Sequence, residues 1–258
     1  MKIWTLIENT SRSPDLTAEH GLSLYIQTGN RKLLFDMGQG AAFAQNARKL
    51  GINLSEVDTA IVSHGHYDHG GGMGTFLREN THAPIYVNQK AFAPHFNAQA
   101  HYIGLEPALE THPRLIPTGD LHTLGDGLTL YGTIPCPVPI QSFGLTRQEG
   151  NGKVPDSFCH EQYLLAEEAG KRILFSGCSH RGILNILRRF QPDILVGGLH
   201  LQKLPSDSPE LREIAQQLAA FPTRYYTGHC TGPEQFDAMK QILGDRLQSI
   251  PTGTVLEF

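Results

Sequence analysis

The apolar positions of the chain fall into two blocks separated by a stretch of different character. Near the start, residues 2–7, 22–28 and 32–35 form apolar or alternating runs bounded by turn residues, with Gly29-Asn30 between the last two. They predict short strands. A helical pattern over residues 41–50 stops at Gly51. Residues 58–63 (DTAIVS) predict a buried strand, followed by a helix at 74–78 and a strand at 85–88. Periodicity returns at residue 161. A hairpin of 163–167 and 172–176 turns through Gly170, then helices at 182–190, 208–221 and 233–243 alternate with strands at 193–197 and 224–227. Each block runs from strands to helices, so two β-rich halves with helices outside are expected, in one domain spanning residues 1–258. Between them, residues 90–158 hold 8 of the 16 prolines and few periodic runs beyond a strand at 128–133. This predicts a variable, loop-rich region that roofs a site.

Composition narrows the function classes. The formal charge is -4, from 21 Lys+Arg against 25 Asp+Glu, which leaves no basic footprint for nucleic acid. No apolar run approaches the ~20 residues of a membrane span, and the four-residue stretch Ile3 to Leu6 is too short for the apolar core of a signal peptide. A cytoplasmic protein acting on a small molecule, with neither nucleic acid nor membrane as partner, is the expectation. The 4 cysteines are scattered without a CxxC pair, so no disulfide framework or zinc knuckle is indicated. The 13 histidines raise the question of metal binding instead.

Ser63-His64-Gly65-His66-Tyr67-Asp68-His69-Gly70 carries the chemistry. Three imidazoles and a carboxylate occupy six residues directly after a buried strand. In an extended segment His64 and His66 point to one side, and glycines permit the turn that brings Asp68 and His69 beside them. That supplies four metal-ligand side chains at two neighbouring points. Neither GxSxG nor GxxxxGK[ST] occurs, so serine hydrolysis and P-loop phosphoryl transfer have no support.

HGHYDH resembles the HxHxDH signature of the metallo-β-lactamase superfamily. Leu33-Leu34-Phe35-Asp36-Met37-Gly38, Ile173-Leu174-Phe175-Ser176-Gly177 and Tyr226-Thr227-Gly228-His229 are similar to further conserved segments of that superfamily. EHGLS (residues 19–23), GCSHRG (177–182), GGLHL (197–201) and TGHCTG (227–232) resemble the branch of 7,8-dihydropterin-6-yl-methyl-4-(β-D-ribofuranosyl)aminobenzene 5'-phosphate synthase-like proteins. The resemblance implies an α/β fold, the four-layered αββα sandwich. It also implies one or two bound ions, zinc in the first instance, with manganese, iron or nickel also compatible.

By the same resemblance, His64 and His66 bind one metal, Asp68 and His69 the second, and His229 completes the second. The remaining positions depart from the superfamily pattern. Cys178 stands where a bridging Asp is expected, and is either a thiolate ligand or a small buried packing residue. His160 and His180 compete for the role of third histidine. Asp36 is expected to orient a ligand imidazole. His20, His200 and Arg181 are candidate substrate-binding residues, Arg181 for a phosphate. Asn9 is expected as a turn residue, His82, His95, His101, His112 and His122 as surface histidines, and Cys159 and Cys230 as packing residues.

The implied activity is a metal-dependent hydrolase that activates water on a small ester, phosphoryl or similar substrate, with Asp68 as the catalytic residue that orients the water and relays its proton. The branch also implies an alternative, a transferase condensing a pterin with a ribofuranosyl aminobenzene phosphate. A non-catalytic, metal-containing binding protein is a further reading. An iron-binding redox role is disfavoured, because such members carry Glu where this chain has His66.

Overall fold

The computed structural model describes residues 1–258. Two seven-stranded mixed sheets lie face to face. In the first, the strands run in the order Val255–Glu257, Lys2–Ile7, Ser23–Thr28, Arg31–Phe35, Thr59–Val62, Ile85–Asn88, Leu115–Thr118. In the second, the order is Leu247–Ser249, Arg224–Thr227, Ile194–Gly197, Lys171–Ser176, Tyr163–Glu168, Leu128–Tyr131, Leu121–Gly125. Alternation along single strands assigns the layers. Leu33 and Phe35 face the second sheet, as Ile173 and Phe175 face the first, and all four join one inter-sheet core. Leu34 and Leu174 point outward to helices.

The helices Ala42–Lys49 and Met73–Glu79 cover the first sheet through Phe43, Ala44, Ala47, Met73 and Phe76. Ile183–Phe190, Pro209–Ala219 and Pro233–Leu243 cover the second through Leu184, Leu187, Leu211, Ala215, Leu218, Met239 and Leu243. This is a four-layered αββα arrangement, the metallo-β-lactamase fold expected from the motifs. No helix is long and apolar enough to cross a membrane.

Residues 90–158 also contribute strands to the sheets. Leu115–Thr118 closes one edge of the first sheet, and after a two-residue turn Leu121–Gly125 opens the second. A separate three-stranded sheet, ordered Gly152–Pro155, Thr146–Glu149, His95–Phe96, stands over the site. Within it Arg147 pairs with His95. The edge strands Leu247–Ser249 and Val255–Glu257 were not apparent in the sequence pattern, because three residues are too few to show an alternation.

Candidate metal centre

In each sheet the parallel strands deliver chemistry from their C-terminal ends, and the two sets of ends share one rim. Thr59–Val62 runs out into Ser63 and the motif, with Asp68 and His69 in the short helix Tyr67–Gly70. Lys171–Ser176 leads to Cys178 and His180, Ile194–Gly197 to His200, and Arg224–Thr227 to His229. The turns are tight. Asp36, Ser179, His200 and His229 all adopt left-handed backbone (φ 60°, 61°, 53° and 52°), a strain that clusters at functional sites. Gly65 is required by space: a Cβ there would lie 2.2 Å from the Ala91 carbonyl oxygen.

Hydrogen bonds fix the tautomers. Asp36 Oδ2 accepts from His69 Nδ1 (2.7 Å) and from Ser63 Oγ (2.7 Å), and Asp36 Oδ1 accepts from the Ser63 amide (2.7 Å). Ser63 Oγ, its own proton committed to Asp36, accepts from His64 Nδ1 (2.9 Å). Asn9 Oδ1 accepts from His229 Nδ1 (3.0 Å). His64, His69 and His229 are thereby left with lone pairs on Nε2. Lone pairs meet where His69 Nε2 lies 3.1 Å from His229 Nε2; His64 Nε2 likewise faces His180 Nε2 at 3.2 Å, and the Nδ1 of His180 has no hydrogen-bond partner that would set its tautomer. Two lone pairs at that distance repel unless positive charge lies between them. The spacings are close to the ~3.3 Å edge of a tetrahedron with metal–nitrogen bonds of about 2.0–2.1 Å.

Cys178 stands between the two pairs. Its Sγ is 3.2 Å from His69 Nε2. One ligating atom each from His64, Cys178 and His180 lie within 4.8 Å of one another, as do those of His69, Cys178 and His229, and those of His20, Asp68 and His229. Asp68 Oδ2 approaches His229 Nε2 (3.3 Å), His20 Nε2 (3.2 Å) and His69 Nε2 (3.7 Å). His66, buried against the His64 ring at 4.6 Å, has a buried Nε2 without a hydrogen-bond partner. The donor set fits divalent cations: His64 and His180 on one side, Asp68, His69 and His229 on the other, and Cys178 where the bridging carboxylate was expected, while the ligating atom of His66 lies within 4.8 Å of those of His95, Asp156 and His160.

The electrostatics of three of the imidazoles favour their neutral form, whereas for His69 burial is outweighed by the carboxylates of Asp36 and Asp68, which hold the ring above its usual range. Burial, then neighbouring imidazoles, holds His64 well below the usual histidine range. Burial does the same for His66 and His180. Burial works against ionised Asp68, but His69, His20 and His229 outweigh it and hold the carboxyl well below its usual range. Burial also pushes the Cys178 thiol up, so a thiolate there needs a metal partner.

Of the two candidates for the third imidazole, the geometry favours His180. His160 Nδ1 accepts the Gly65 amide (2.9 Å), which places the ring proton on Nε2, and that atom faces Asp156 Oδ2 at 3.4 Å. Asp156 also accepts from His95 Nδ1 (2.7 Å). His95, expected on the surface, is in fact 1% exposed and packs its ring 4.0 Å from that of His160. Arg181 is likewise corrected as a phosphate ligand. It is buried, and its guanidinium donates to the carbonyls of Ile134 (2.7 Å) and Ser157 (2.9 Å). Asn9 does more than turn the chain, since it orients His229. Cys230 is buried, with a ligating atom within 4.8 Å of those of Cys178 and His200.

Besides Asp156, two carboxylates escaped the sequence reading. Glu161 is fully buried and accepts from the amides of His180 (2.8 Å) and Arg181 (3.0 Å) and from the Tyr163 hydroxyl. Glu8 accepts from the His229 amide (2.6 Å). Neither sits in a metal motif, and only the adjacency of Glu161 to His160 hinted at a role.

The cleft beside the Cys178 group is a cavity of about 200 Å³ lined by His20, Asp68, His180, His200, Lys203 and His229, with Asn97, Phe143 and Leu145 from the intervening region.

Comparison with known proteins agrees with this fold. Residues 16–152, more than half of the chain, match the family model described as metallo-beta-lactamase superfamily. The chain is similar to the 7,8-dihydropterin-6-methyl-4-(beta-D-ribofuranosyl)-aminobenzene-5'-phosphate synthase of Methanocaldococcus jannaschii, 26% identical, with 100% of this chain and 97% of that protein covered. The exodeoxyribonuclease YycJ of Bacillus anthracis is 31% identical over 127 residues, 49% of this chain and 41% of that protein. The crystal structure of Tm1679, a metal-dependent hydrolase of the β-lactamase superfamily, superposes with a TM-score of 0.86 at 26% identity, covering 100% of this chain and 99% of that one. The chain belongs to the metallo-β-lactamase superfamily.

Proposed function

We propose that this protein is a metal-dependent hydrolase of a small ester, phosphoryl or related substrate. The observation that carries the reading is the pair of facing Nε2 contacts, His69 with His229 and His64 with His180, on either side of Cys178. A divalent cation, zinc in the first instance, held by these residues supplies Lewis acidity toward a carbonyl or phosphoryl oxygen and acidifies water. Asp68, kept ionised by its three imidazole neighbours, orients the attacking water by accepting its hydrogen bond. His20 touches Asp68 at 3.2 Å with a side chain 45% exposed, so it is placed to pass the released proton to solvent. Asp36, Asn9 and Glu161 hold the ligand-bearing segments in register.

The likeness to the M. jannaschii synthase over the whole chain favours a second reading, in which the same centre serves a condensing transfer. The nuclease likeness spans half of the chain, and the net charge of -4 disfavours a polyanionic substrate.

The test is a panel of esters, lactones, phosphodiesters and small phosphate esters, run on zinc- or manganese-loaded protein and on chelated protein. Hydrolysis of at least one class that disappears with chelation supports the hydrolase. Turnover confined to condensation of a pterin with an aminobenzene ribosyl phosphate moves the assignment to the transferase. Metal without turnover on any member makes it a binding protein.

A further inference from the structure

A second cavity, of about 230 Å³, adjoins the metal cleft. Phe143, His180 and His200 line both, so the two cavities are adjacent and share the wall these side chains form, with the histidines at the elbow. The arms differ in chemistry. The cleft arm carries Asp68, His20, Lys203 and His229, whereas the second arm is walled by Ile140, Ile183, Leu199, Leu204 and Ile214.

The polar groups of the second arm are mostly spoken for. Asn185 Oδ1 accepts the Val138 amide (2.9 Å), and its Nδ2 donates to the carbonyls of Val138 (2.9 Å) and Arg181 (2.8 Å). Gln141 donates to Glu210. No lysine or arginine lines this arm, and the only charged side chains at its mouth are the carboxylates of Glu210 and Glu213. The imidazole of His200 sits at the elbow, 4.1 Å from the His180 ring and 5.5 Å from that of Phe143, with both ring nitrogens buried and without a hydrogen-bond partner. A buried polar atom left unsatisfied is uncommon in a folded protein; a ring nitrogen of His200 lies within 4.8 Å of the Cys178 and Cys230 sulfurs, and the imidazole makes the elbow the polar point of an otherwise apolar wall.

From this, resting on the hydrolase reading above, we infer that the substrate is amphipathic. Its reacting polar head occupies the metal cleft, its linkage passes the His200 imidazole, and a neutral apolar body fills the second arm. The arm recognises hydrocarbon or an uncharged aromatic ring by burial. It has no cation to receive a phosphate or carboxylate at the far end, where Glu210 and Glu213 repel anions and tolerate an amine.

The probes are hydroxamates, whose head groups chelate divalent cations, with acyl chains from acetyl to octanoyl, titrated calorimetrically into zinc-loaded protein. Affinity should rise about fourfold per methylene over the first several carbons and then level off as the arm fills. Ile214→Trp, at a half-buried position on the arm wall, should flatten the series while leaving acetohydroxamate binding as in the parent. A hexanoyl chain ending in a carboxylate should bind at least tenfold more weakly than the plain chain. In parallel, 1-hexanol added to metal-free protein should shift the methyl resonances of Ile140, Ile183, Leu204 and Ile214, a readout that needs neither metal nor turnover. Affinity independent of chain length, a gain that survives Ile214→Trp, equal binding of the carboxylate-ended chain, or hexanol shifts that miss these methyls would each overturn the inference. Loss of acetohydroxamate binding together with intact hexanol shifts would instead fail the metal-centre reading and leave the arm standing.

Discussion

Cys178 Sγ lies 3.2 Å from Nε2 of His69, at the point where a carboxylate was expected to bridge. A thiolate in this position is softer and more covalent toward a cation than a carboxylate. Loading the protein with Co(II) should therefore give an intense sulfur-to-metal charge-transfer absorption that Cys178→Ser abolishes. Metal affinity in that variant should fall at least tenfold, toward the upper part of the about 10–100-fold range seen when supporting groups are lost. A Co(II) spectrum identical in the two proteins would return Cys178 to the role of a packing residue.

Asp36 ties Ser63 and His69 together, and through Ser63 it orients His64 as well. Asp36→Asn keeps the shape but replaces an acceptor-only group with one that can turn an N–H toward the His69 Nδ1 proton. We expect a loss of about 1.5–3 kcal/mol from a charge-assisted, fully buried set, together with weaker metal binding. Denaturant midpoints and metal titration of the same variant check both, and unchanged affinity would show that Asp36 supports the fold alone.

Glu161 is the buried carboxylate on which the His180 turn hangs. Glu161→Ala leaves two backbone amides and the Tyr163 hydroxyl without their partner, at a cost of roughly 1–3 kcal/mol for each buried donor left unsatisfied. If the variant folds, its cation affinity should fall with that of His180→Ala, and the double variant should be no worse than the worse single one. Additive losses would separate Glu161 from the metal centre.

The metal-free protein should be acid-sensitive over a defined window. His64, His66 and His180 are held well below the usual range near 6.5, and burial brings His160 down to about 4. Between pH 6.5 and about 4 the unfolded chain binds protons at these rings that the folded chain does not. Unfolding free energy must therefore fall as pH falls through that window. His69 is shifted upward and acts in the opposite sense, one ring against four. Urea melts of chelated protein at pH 7, 6, 5 and 4 should show a monotonic loss. A flat profile would mean that the rings are protonated in the fold. Bound metal should move the loss to lower pH by holding the rings neutral.

Much of this centre could be read from local sequence, and the residues that could not share a cause. HGHYDH follows a buried strand, so His64, His66, Asp68 and His69 had to lie together whatever the tertiary fold. The strand carrying Leu33, Leu34 and Phe35 was likewise visible as a short apolar run, whereas which of them faces the second sheet was not. His95 and Asp156 were not, because they meet only when His95–Phe96 pairs with Thr146–Glu149, about fifty residues later. The competition between His160 and His180 could not be decided from spacing either. It turns on which imidazole nitrogen accepts the Gly65 amide, a contact between segments 95 residues apart. Arg181 stands next to a metal-ligand candidate and still faces away from the cleft, since two backbone carbonyls of neighbouring loops capture its guanidinium.

The central claim is that the facing imidazoles hold a catalytic cation. Its most direct test is metal content by mass spectrometry on protein purified without chelator, measured alongside turnover for the parent and for the His66→Ala, His69→Ala double variant. The account predicts at least one equivalent of divalent metal per parent chain, a content that falls by at least one equivalent in the double variant, and loss of turnover with it. A double variant that is metal-free and still turns over substrate at the parental rate would contradict the account.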